Sequence, residues 1–497
     1  MDFEEYRSIS LGKGSGKLAD GDEYETDSGV TAVRTSVNTA LLLIFARASG
    51  FAQAPLTINQ AVQGALDRYP AVRSSLEEVS AAAAAINLAR TAYLPRADFL
   101  GQVNRATHNN VFGLVLPQGV LPTISGPALG TNSLTSVWGT AVGGAVTWEP
   151  FDFGVRKANV NLAASVRQQL NAQVNVTKLQ VGTAAADVFL SILAAQETVT
   201  AARASVDRAT VLDQAVEALV NNQLRPGADA SRARAELALA QTQLIQAEEA
   251  VDVARAALGQ LLGIQPQTIT TQSGPLLQLP TKQQLAVVAA TPTPARSFTA
   301  ADHPLAIAQN FAIQEVRARE KVLDRSYFPR FLLQGTTYAR GTGIHSNGQT
   351  GGAGSGLGPN VQNWALGMTV TFPAFDIASI RERKRIEAYN ERTESAHYDQ
   401  ILQDLTGQSE KAQAILAGAR RVAQNTPIEL DAARVGDQQA NARYRSGLGN
   451  IVEVAEAERI LTQAEIDDAL AKLGVWRALL GVAAAKGDLQ PFLQQTQ

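Results

Sequence analysis

The sequence contains no cysteine, only four histidines and few charged side chains. Without cysteine the chain cannot form disulfides, thiolate metal sites, a cysteine nucleophile or a lipid anchor on cysteine. The histidines show no metal-ligand spacing, which favours structural or solvated roles for His108, His303, His345 and His397. The net charge of −3 argues against a nucleic-acid partner, which requires a basic face. We therefore expect no cofactor and no metal, and an enzyme is disfavoured.

A short apolar run over residues 41–46 lies near the N-terminus. It cannot cross a bilayer as a helix, which takes about 20 residues. Arg34 precedes the run and an Ala-x-Ala site ends at Ala54, a pattern typical of a secretory signal cleaved after that alanine. The sequence thus predicts an N-terminal extension and signal peptide over 1–54. Because no later segment is predicted to be a spanning helix, the exported chain would be periplasmic, secreted or inserted as a β-barrel.

Two alternatives for this region stay open. The acidic stretch over residues 1–33 is unusual ahead of a signal and would be explained if translation began at Val30 or Val33. The other alternative is a tail followed by a short core segment, which Arg47 at the end of the apolar run favours.

The rest of the chain repeats itself once. Landmarks recur in the same order in both halves: Tyr93-Leu94-Pro95-Arg96 with Tyr327-Phe328-Pro329-Arg330, Trp138 with Trp364, Phe151-Asp152 with Phe375-Asp376, and Leu261-Leu262-Gly263 with Leu479-Leu480-Gly481. We predict a first repeat over 55–264, a linker over 265–300, a second repeat over 301–485 and a C-terminal tail over 486–497.

Each repeat is predicted to run helix, strand, loop, strand, long helix pair. The opening helices (about 57–91 and 303–325) stop before Tyr-x-Pro, because proline bars helix continuation. The strands alternate with period two over about 96–106, 138–148, 330–340 and 364–372, and polar, glycine-rich loops separate them over about 107–134 and 341–360.

The last strand shows the alternation most clearly. One face is large and apolar and the other small or polar: Trp364, Leu366, Met368, Val370 and Phe372 against Ala365, Gly367, Thr369 and Thr371. Such faces suit a barrel strand between lipid and a wet lumen. A soluble hairpin packed on a core is the alternative.

The predicted helix pairs are unusually long. No proline occurs between Phe151 and Arg225 or between Ile428 and Gln490, and residues 155–221 alone would span about 100 Å as one helix. Apolar residues recur there with a period near 3.5, with many alanines among them, as in closely packed coiled coils. The sequence therefore predicts an elongated, mixed α+β molecule.

Polar residues of interest lie where the second helix pair turns. Gly447 and Gly449 interrupt the helix, and Glu453 and Glu456 follow three residues apart, on one helix face. Two interpretations are open: the acids stabilise a helix start by about 0.3–1 kcal/mol through its dipole, or they act in ion passage. The first repeat has its equivalent turn over 221–229.

These repeats resemble the TolC-like outer-membrane efflux proteins (outer membrane factors) over residues 55 to about 485. The most specific pieces are Tyr327-Phe328-Pro329-Arg330, Phe375-Asp376, and Tyr444-x-x-Gly447 followed by Ile451-Val452-Glu453-Val454-x-Glu456-Ala457. The resemblance implies a homotrimer whose subunits each give four strands to one outer-membrane β-barrel, continued by a coiled-coil tunnel across the periplasm. Four strands alone would leave two open edges in lipid, which cyclic closure removes.

The resemblance also implies roles for residues at the turns. Glu453 and Glu456 would line the narrowest point of the tunnel, where three copies repel one another, raise some of their pKa values and attract cations. Tyr444 would pair with Asp229 as a gate link. The arginine of a second gate link falls on Gly449, so that this link is absent or made by Arg445.

Two triplets correspond to the tips that receive a periplasmic adaptor in the family. The first, Ser446-Gly447-Leu448, lacks the family's valine, and the second, Asn222-Gln223-Leu224, lacks its glycine. The expected function is a passive exit duct of a tripartite efflux or type I secretion system, driven by an RND, ABC or MFS pump of the inner membrane. A periplasmic coiled-coil scaffold that never inserts is the alternative, and the apolar face of 364–372 argues against it.

Overall fold

A computed structural model describes residues 55–107, 135–281, 284, 299–345, 347 and 349–496. Several predictions lie outside these residues. They are the extension and signal peptide over 1–54, the loop over 108–134 with His108, and the part of the linker over 282–298 apart from residue 284.

The elements follow the predicted order in both repeats. The first repeat contains α1 (Ile58–Arg68), α2 (Pro70–Thr91), β1 (Arg96–Thr107), β2 (Ser136–Phe151), α3 (Val155–Asn221) and α4 (Gly227–Leu262). The second contains α5 (Pro304–Arg325), β3 (Arg330–Thr342), β4 (Val361–Thr371), α6 (Ile377–Arg445) and α7 (Ile451–Ala485), and a short α8 (Gln490–Leu493) follows. Short 3-10 helices occupy parts of the predicted linker at Pro266–Thr268, Gly274–Leu277 and Ala300–Asp302.

The opening helix of the first repeat is two helices, so a single helix over 57–91 was a wrong prediction. Thr57 caps α1 through reciprocal hydrogen bonds with Gln60. The chain is extended at Tyr69 (ψ 126°), and Pro70 is the first residue of α2. The residue before a proline is pushed out of helical geometry, whereas the first helical position tolerates the missing N–H. Pro304 begins α5 in the same way.

Helices α3 and α6 run unbroken for 67 and 69 residues, about 100 Å each at the helical rise. Helix α6 continues through Pro427, although an interior proline costs about 3 kcal/mol. Beside it, Thr426 is buried and donates a hydrogen bond to Asp468 of α7 at 3.1 Å. This packing on α7 keeps the segment helical.

Within the described part of the chain, α3 is long and apolar enough, by length and composition, to cross a membrane. The helix was predicted from the sequence, but its suitability to span a membrane was not. Of its most apolar window, 44% is buried inside the chain, and Phe189, Leu190 and Ile192 of α3 are fully buried. The core thus accounts for part of the apolar composition of α3.

The main hydrophobic core joins elements of both repeats. It contains α1, the middle of α3, the end of α4, the C-terminal half of α7 and α8. Trp476, Phe189 and Phe492 are its largest buried side chains, and Trp476 Nε1 donates a hydrogen bond to the Gln278 carbonyl at 2.9 Å. The shared core holds the two repeats together at this level of the molecule.

The four strands form one antiparallel sheet in the order β1-β2-β3-β4. Along β4 the exposed residues Trp364, Leu366, Met368 and Val370, at 50–77% exposure, alternate with partly covered ones. No core of the described residues therefore packs on the predicted apolar face. At both ends of the sheet, β1 and β4 have a neighbouring strand on one side only among the described residues.

His303 is buried at the start of α5, and its hydrogen bonds define the protonation state of its ring. Its Nδ1 accepts the Leu305 backbone N–H at 3.1 Å, and its Nε2 lies 3.3 Å from the Ala484 carbonyl oxygen. This arrangement requires a neutral ring with the proton on Nε2. Burial lowers the pKa of His303, and the Ala484 carbonyl partly opposes that shift.

We expect the folded chain to lose stability as the pH falls below about 6.5, because the unfolded histidine then binds a proton that folded His303 does not. A His303→Asn variant can still cap the helix and donate to Ala484. Its melting temperature, followed by circular dichroism in detergent, should fall less than that of the natural chain between about pH 7.5 and pH 5.5. The exposed His397→Asn serves as control, and equal losses in all three proteins would contradict the prediction.

Candidate functional site at the helix turns

The turn after α3 has a left-handed residue at its centre. Gln223 takes φ 60°, and its N–H donates to the Val220 carbonyl at 2.9 Å while Leu224 N–H donates to Leu219 at 2.9 Å. These two bonds form the Schellman motif that commonly ends helices. The triplet Asn222-Gln223-Leu224 therefore makes a regular helix end without the glycine that usually occupies the left-handed position.

The turn after α6 has the same geometry. Gly447 takes φ 76°, its N–H donates to Tyr444 at 3.1 Å, and Leu448 N–H donates to Arg443 at 2.9 Å. The triplet Ser446-Gly447-Leu448 is thus the structural equivalent of the first turn.

Leu224 and Leu448 end the two motifs and are 69% and 74% exposed. A residue at this position commonly makes an apolar contact with the preceding helix. Here both side chains instead extend into solvent from neighbouring turns. They form a pair of apolar projections at one end of the helical bundle.

Arg225 and Tyr444 join the two turns. Arg225 Nη2 donates to the Tyr444 carbonyl at 3.0 Å, and its guanidinium carbon lies 4.5 Å from the centre of the Tyr444 ring. Such a cation–π contact contributes about 0.5–2 kcal/mol, depending on desolvation. We call this pair the Arg225–Tyr444 clasp. It connects the first helix pair (α3 and α4) to the second (α6 and α7).

The predicted partner of Tyr444, Asp229, lies close enough to act on it through charge. Burial raises the pKa of Tyr444, the Asp229 carboxylate raises it further, and Arg225 opposes the shift. The buried hydroxyl of Tyr444 nevertheless has no hydrogen-bond partner of normal geometry among the described residues. The gate link expected between Tyr444 and Asp229 therefore remains a prediction, while Arg225 makes the direct contact.

The ring of Tyr444 completes a small hydrophobic cluster beneath the turns. Tyr444 of α6 is 2% exposed, and residues from the other three long helices surround it: Leu212, Val216, Ala233, Ile451 and Val454. This cluster is separate from the main core. The two helix pairs are therefore held together at the turns by a local contact.

Glu453 belongs to the start of α7. Its backbone N–H donates to the Asn450 side-chain oxygen at 2.9 Å, and its carboxylate accepts from the Asn450 amide at 3.2 Å. A weak ion pair of 3.7 Å with Arg443 crosses the turn. These contacts support the capping interpretation of Glu453, and they leave 45% of its side chain exposed.

Glu456 forms an ion pair with Arg459 on the same helix, at 2.6 Å between Arg459 Nη2 and Glu456 Oε1. The hydrogen bond from Arg459 lowers the pKa of Glu456. Both side chains are more than half exposed. Glu453 and Glu456 thus each lie near a guanidinium group, that of Arg443 and that of Arg459, which the sequence analysis did not predict.

Gly449 fits closely into the turn. A Cβ on Gly449 would lie 3.2 Å from Arg443 Cβ, the Tyr444 nitrogen and Glu453 Oε2, so that a side chain there would require these neighbours to move by a few tenths of an ångström. Arg445, the other candidate for the second gate link, is exposed and makes no ion pair with any described residue. That the second gate link is either absent or made by Arg445 remains a prediction.

The site brings together most of the predicted residues, but sequence reasoning missed Arg225, Arg443 and Arg459. The spacing of Glu456 and Arg459 signals a pair on one helix face, whereas the contact of Arg225 with Tyr444 joins residues far apart in sequence. No group of acidic or histidine side chains suited to a metal occurs among the described residues. The arrangement can attract cations, bind an apolar partner and loosen at the clasp.

The sequence matches the model described as outer membrane efflux protein over residues 61–264 and 301–488, one match for each repeat. No curated protein sequence matches the chain significantly.

Solved structures with the same fold are outer-membrane channels. The outer-membrane channel OprN shares 20% identity, with 86% of this chain and 89% of that chain covered and a TM-score of 0.65. The Campylobacter jejuni CmeC channel shares 16% identity, covering 86% and 85%, with a TM-score of 0.65. The open state of the Neisseria gonorrhoeae MtrE channel shares 16%, covering 87% and 89%, with a TM-score of 0.62.

Proposed function

Since the chain belongs to the outer membrane efflux protein family, we propose that it forms a homotrimeric duct through which substrates leave the periplasm for the outside. The protein is an outer-membrane channel subunit whose helices extend into the periplasm. Passage is passive, and the energy comes from an inner-membrane pump. The family is one of transport proteins, and we assign no catalytic step to the chain.

The observation that carries this proposal is the four-stranded sheet. Its apolar face is exposed, with Leu366 at 69% and Trp364 at 77%, and its outer strands β1 and β4 each offer an edge for pairing. Open edges cannot persist in lipid. Pairing β4 of one subunit with β1 of the next, around a three-fold axis, satisfies both edges.

The helices offer a second surface for assembly. Exposed apolar side chains recur along α4 and α6, each at 50–65% exposure: Leu239, Ile245 and Val253 on α4, and Ile415, Val422 and Val435 on α6. A single chain leaves these stripes in water. Packing of neighbouring subunits along them would bury the stripes and continue the barrel as a helical tunnel.

We further propose that the turns receive a periplasmic adaptor protein. The exposed Leu224 and Leu448 supply equivalent apolar anchors, and the two turns share one backbone geometry. An adaptor would connect the duct to a pump of the RND, ABC or MFS type. The substrate, and the choice between drug efflux and type I secretion, would be set by that pump.

Imaging of the detergent-extracted protein, with measurement of its particle mass, tests the proposal. Three-fold particles with a short barrel and a stalk of about 100 Å, which conduct ions in planar bilayers, are expected. A water-soluble monomer or dimer without conductance would contradict the duct and favour the periplasmic scaffold.

We propose that Glu453 and Glu456 attract cations to the tunnel entrance. The double variant Glu453→Gln with Glu456→Gln should lower cation selectivity and weaken block by divalent cations about tenfold, because it removes both carboxylates from every subunit at the tunnel entrance. Glutamine keeps the hydrogen bonds of Glu453 with Asn450. Reversal potentials and divalent titrations in planar bilayers measure both quantities.

The variant Arg459→Gln is expected to change cation selectivity in the opposite direction. It removes the guanidinium that is paired with Glu456 and should raise cation selectivity. Unchanged selectivity in both variants would mean that the two acids serve only the start of α7.

A further inference from the structure

A second set of charges lies further along the helices from the turns. Arg208 on α3 forms an ion pair with Glu465 on α7, at 3.1 Å between Nη2 and Oε2, and donates to Thr462 of α7 at 3.0 Å. Both charged side chains are about three-quarters covered. Like the clasp, this ion pair joins the first helix pair to the second.

More acids than bases converge on this ion pair. Glu458 of α7 lies in a cavity of about 360 Å³ between α3, α4 and α7. The charged groups around Glu458 come from every neighbouring helix: Arg208 on α3, Glu236 on α4, Asp437 on α6, and Glu465 and Arg459 on α7. Arg459 is engaged by Glu456, so that Arg208 is left as the main base for Glu236, Asp437, Glu458 and Glu465.

This imbalance affects the ionisation of the cluster. Burial raises the pKa of Glu458 to about 7, the charges of Asp437 and Glu236 add to the shift, and Arg208 opposes it. Burial also raises the pKa of Asp437. The charge of Glu465 raises this pKa further, whereas the charge of Arg208 and the hydrogen bond from Asn441 lower it. In a partly desolvated site, each further negative charge that lacks a partner destabilises the packed arrangement.

We propose that Glu458 is a proton-controlled contact between the two helix pairs, which favours the packed arrangement when protonated and loosens it when ionised. The group binds a proton more tightly when the helices are packed than when they are apart. The packed state therefore gains stability as the pH falls and loses it as the pH rises. The contact itself does not depend on transport, but its effect on opening of the duct rests on the proposed function.

Distance measurement between spin labels tests the inference, and the absence of native cysteine makes the labels unique. Cysteines at the exposed positions Ala235 on α4 and Ile460 on α7 report the separation of the helix pairs. Labelled chains diluted into unlabelled ones restrict the signal to one subunit. The distance should increase from pH 6 to pH 8, as Glu458, whose pKa is about 7 in the packed state, ionises.

Three variants separate the outcomes. Glu458→Gln should hold the short distance across the whole range, and Asp437→Asn should move the midpoint to lower pH, because the neighbouring charge is gone. Glu249→Gln, an exposed position on α4 away from the cluster, should behave as the natural chain. A pH response that persists in Glu458→Gln, or no response in the natural chain, would overturn the inference. Conductance of the same preparations decides the proposed function separately.

Discussion

The Leu366→Arg variant is expected to lose stable insertion and assembly in the outer membrane. Leu366 lies at the centre of β4, and its side chain is 69% exposed on the apolar face. Arginine on the lipid face of a barrel costs about 2–4 kcal/mol at the midplane, so that three copies cost roughly 6–12 kcal/mol per trimer. Such a penalty is comparable to the whole stability of many folded domains. The amount of heat-modifiable trimer in membrane fractions measures the effect.

The neighbouring position provides the matched control. Ala365 is on the other face of the same strand, paired with Thr336 of β3, and it is partly covered. An Ala365→Arg side chain would point into a wet lumen, where a charge is solvated, and trimers should form at near-normal levels. If Ala365→Arg prevented assembly while Leu366→Arg did not, the assignment of the two faces would be reversed.

Two sequence patterns predicted the architecture, because each reflects which side chains are buried. Apolar residues alternate with period two in the strands, and they recur with a period near 3.5 in the long helices. Alternation in 364–372 placed the apolar side chains of β4 on one face, and the alternating exposure along β4 confirms that placement. Freedom from proline over 155–221 predicted a helix that the structure places at Val155–Asn221. The repeated Phe-Asp landmark marks the starts of the long helices, where Asp152 accepts hydrogen bonds from the backbone N–H groups of Gly154 and Arg156.

Other features escaped sequence reasoning because tertiary contacts override local preference. Pro427 does not end α6, since packing of this segment on α7 keeps it helical. Gln223 takes the left-handed conformation normally given to glycine, so that the missing glycine of the first triplet leaves the turn unchanged. The clasp could not be predicted either, because Arg225 and Tyr444 belong to different repeats and meet only in the folded chain.

Opening of the clasp should raise the conductance of the isolated channel. Tyr444→Ala removes a buried ring from the cluster beneath the turns, a kind of change that costs about 3–5 kcal/mol in protein cores. Arg225→Ala removes the cation–π contact, worth about 0.5–2 kcal/mol, and a hydrogen bond from a charged donor, worth about 1.5–3 kcal/mol. Since 1.4 kcal/mol changes an equilibrium tenfold, each variant should shift the population toward the open state at least tenfold. Single-channel recording in planar bilayers measures this shift.

The conservative variant Tyr444→Phe identifies which contact holds the turns. It keeps the ring under Arg225 and removes the hydroxyl, which has no hydrogen-bond partner of normal geometry among the described residues. If the clasp is the link, Tyr444→Phe should conduct like the natural channel while Arg225→Ala conducts more. If instead a hydrogen bond between Tyr444 and Asp229 forms in the trimer and holds the gate, Tyr444→Phe and Asp229→Asn should open the channel together. The pattern across these variants therefore separates a link made by the aromatic ring from one made by the hydroxyl.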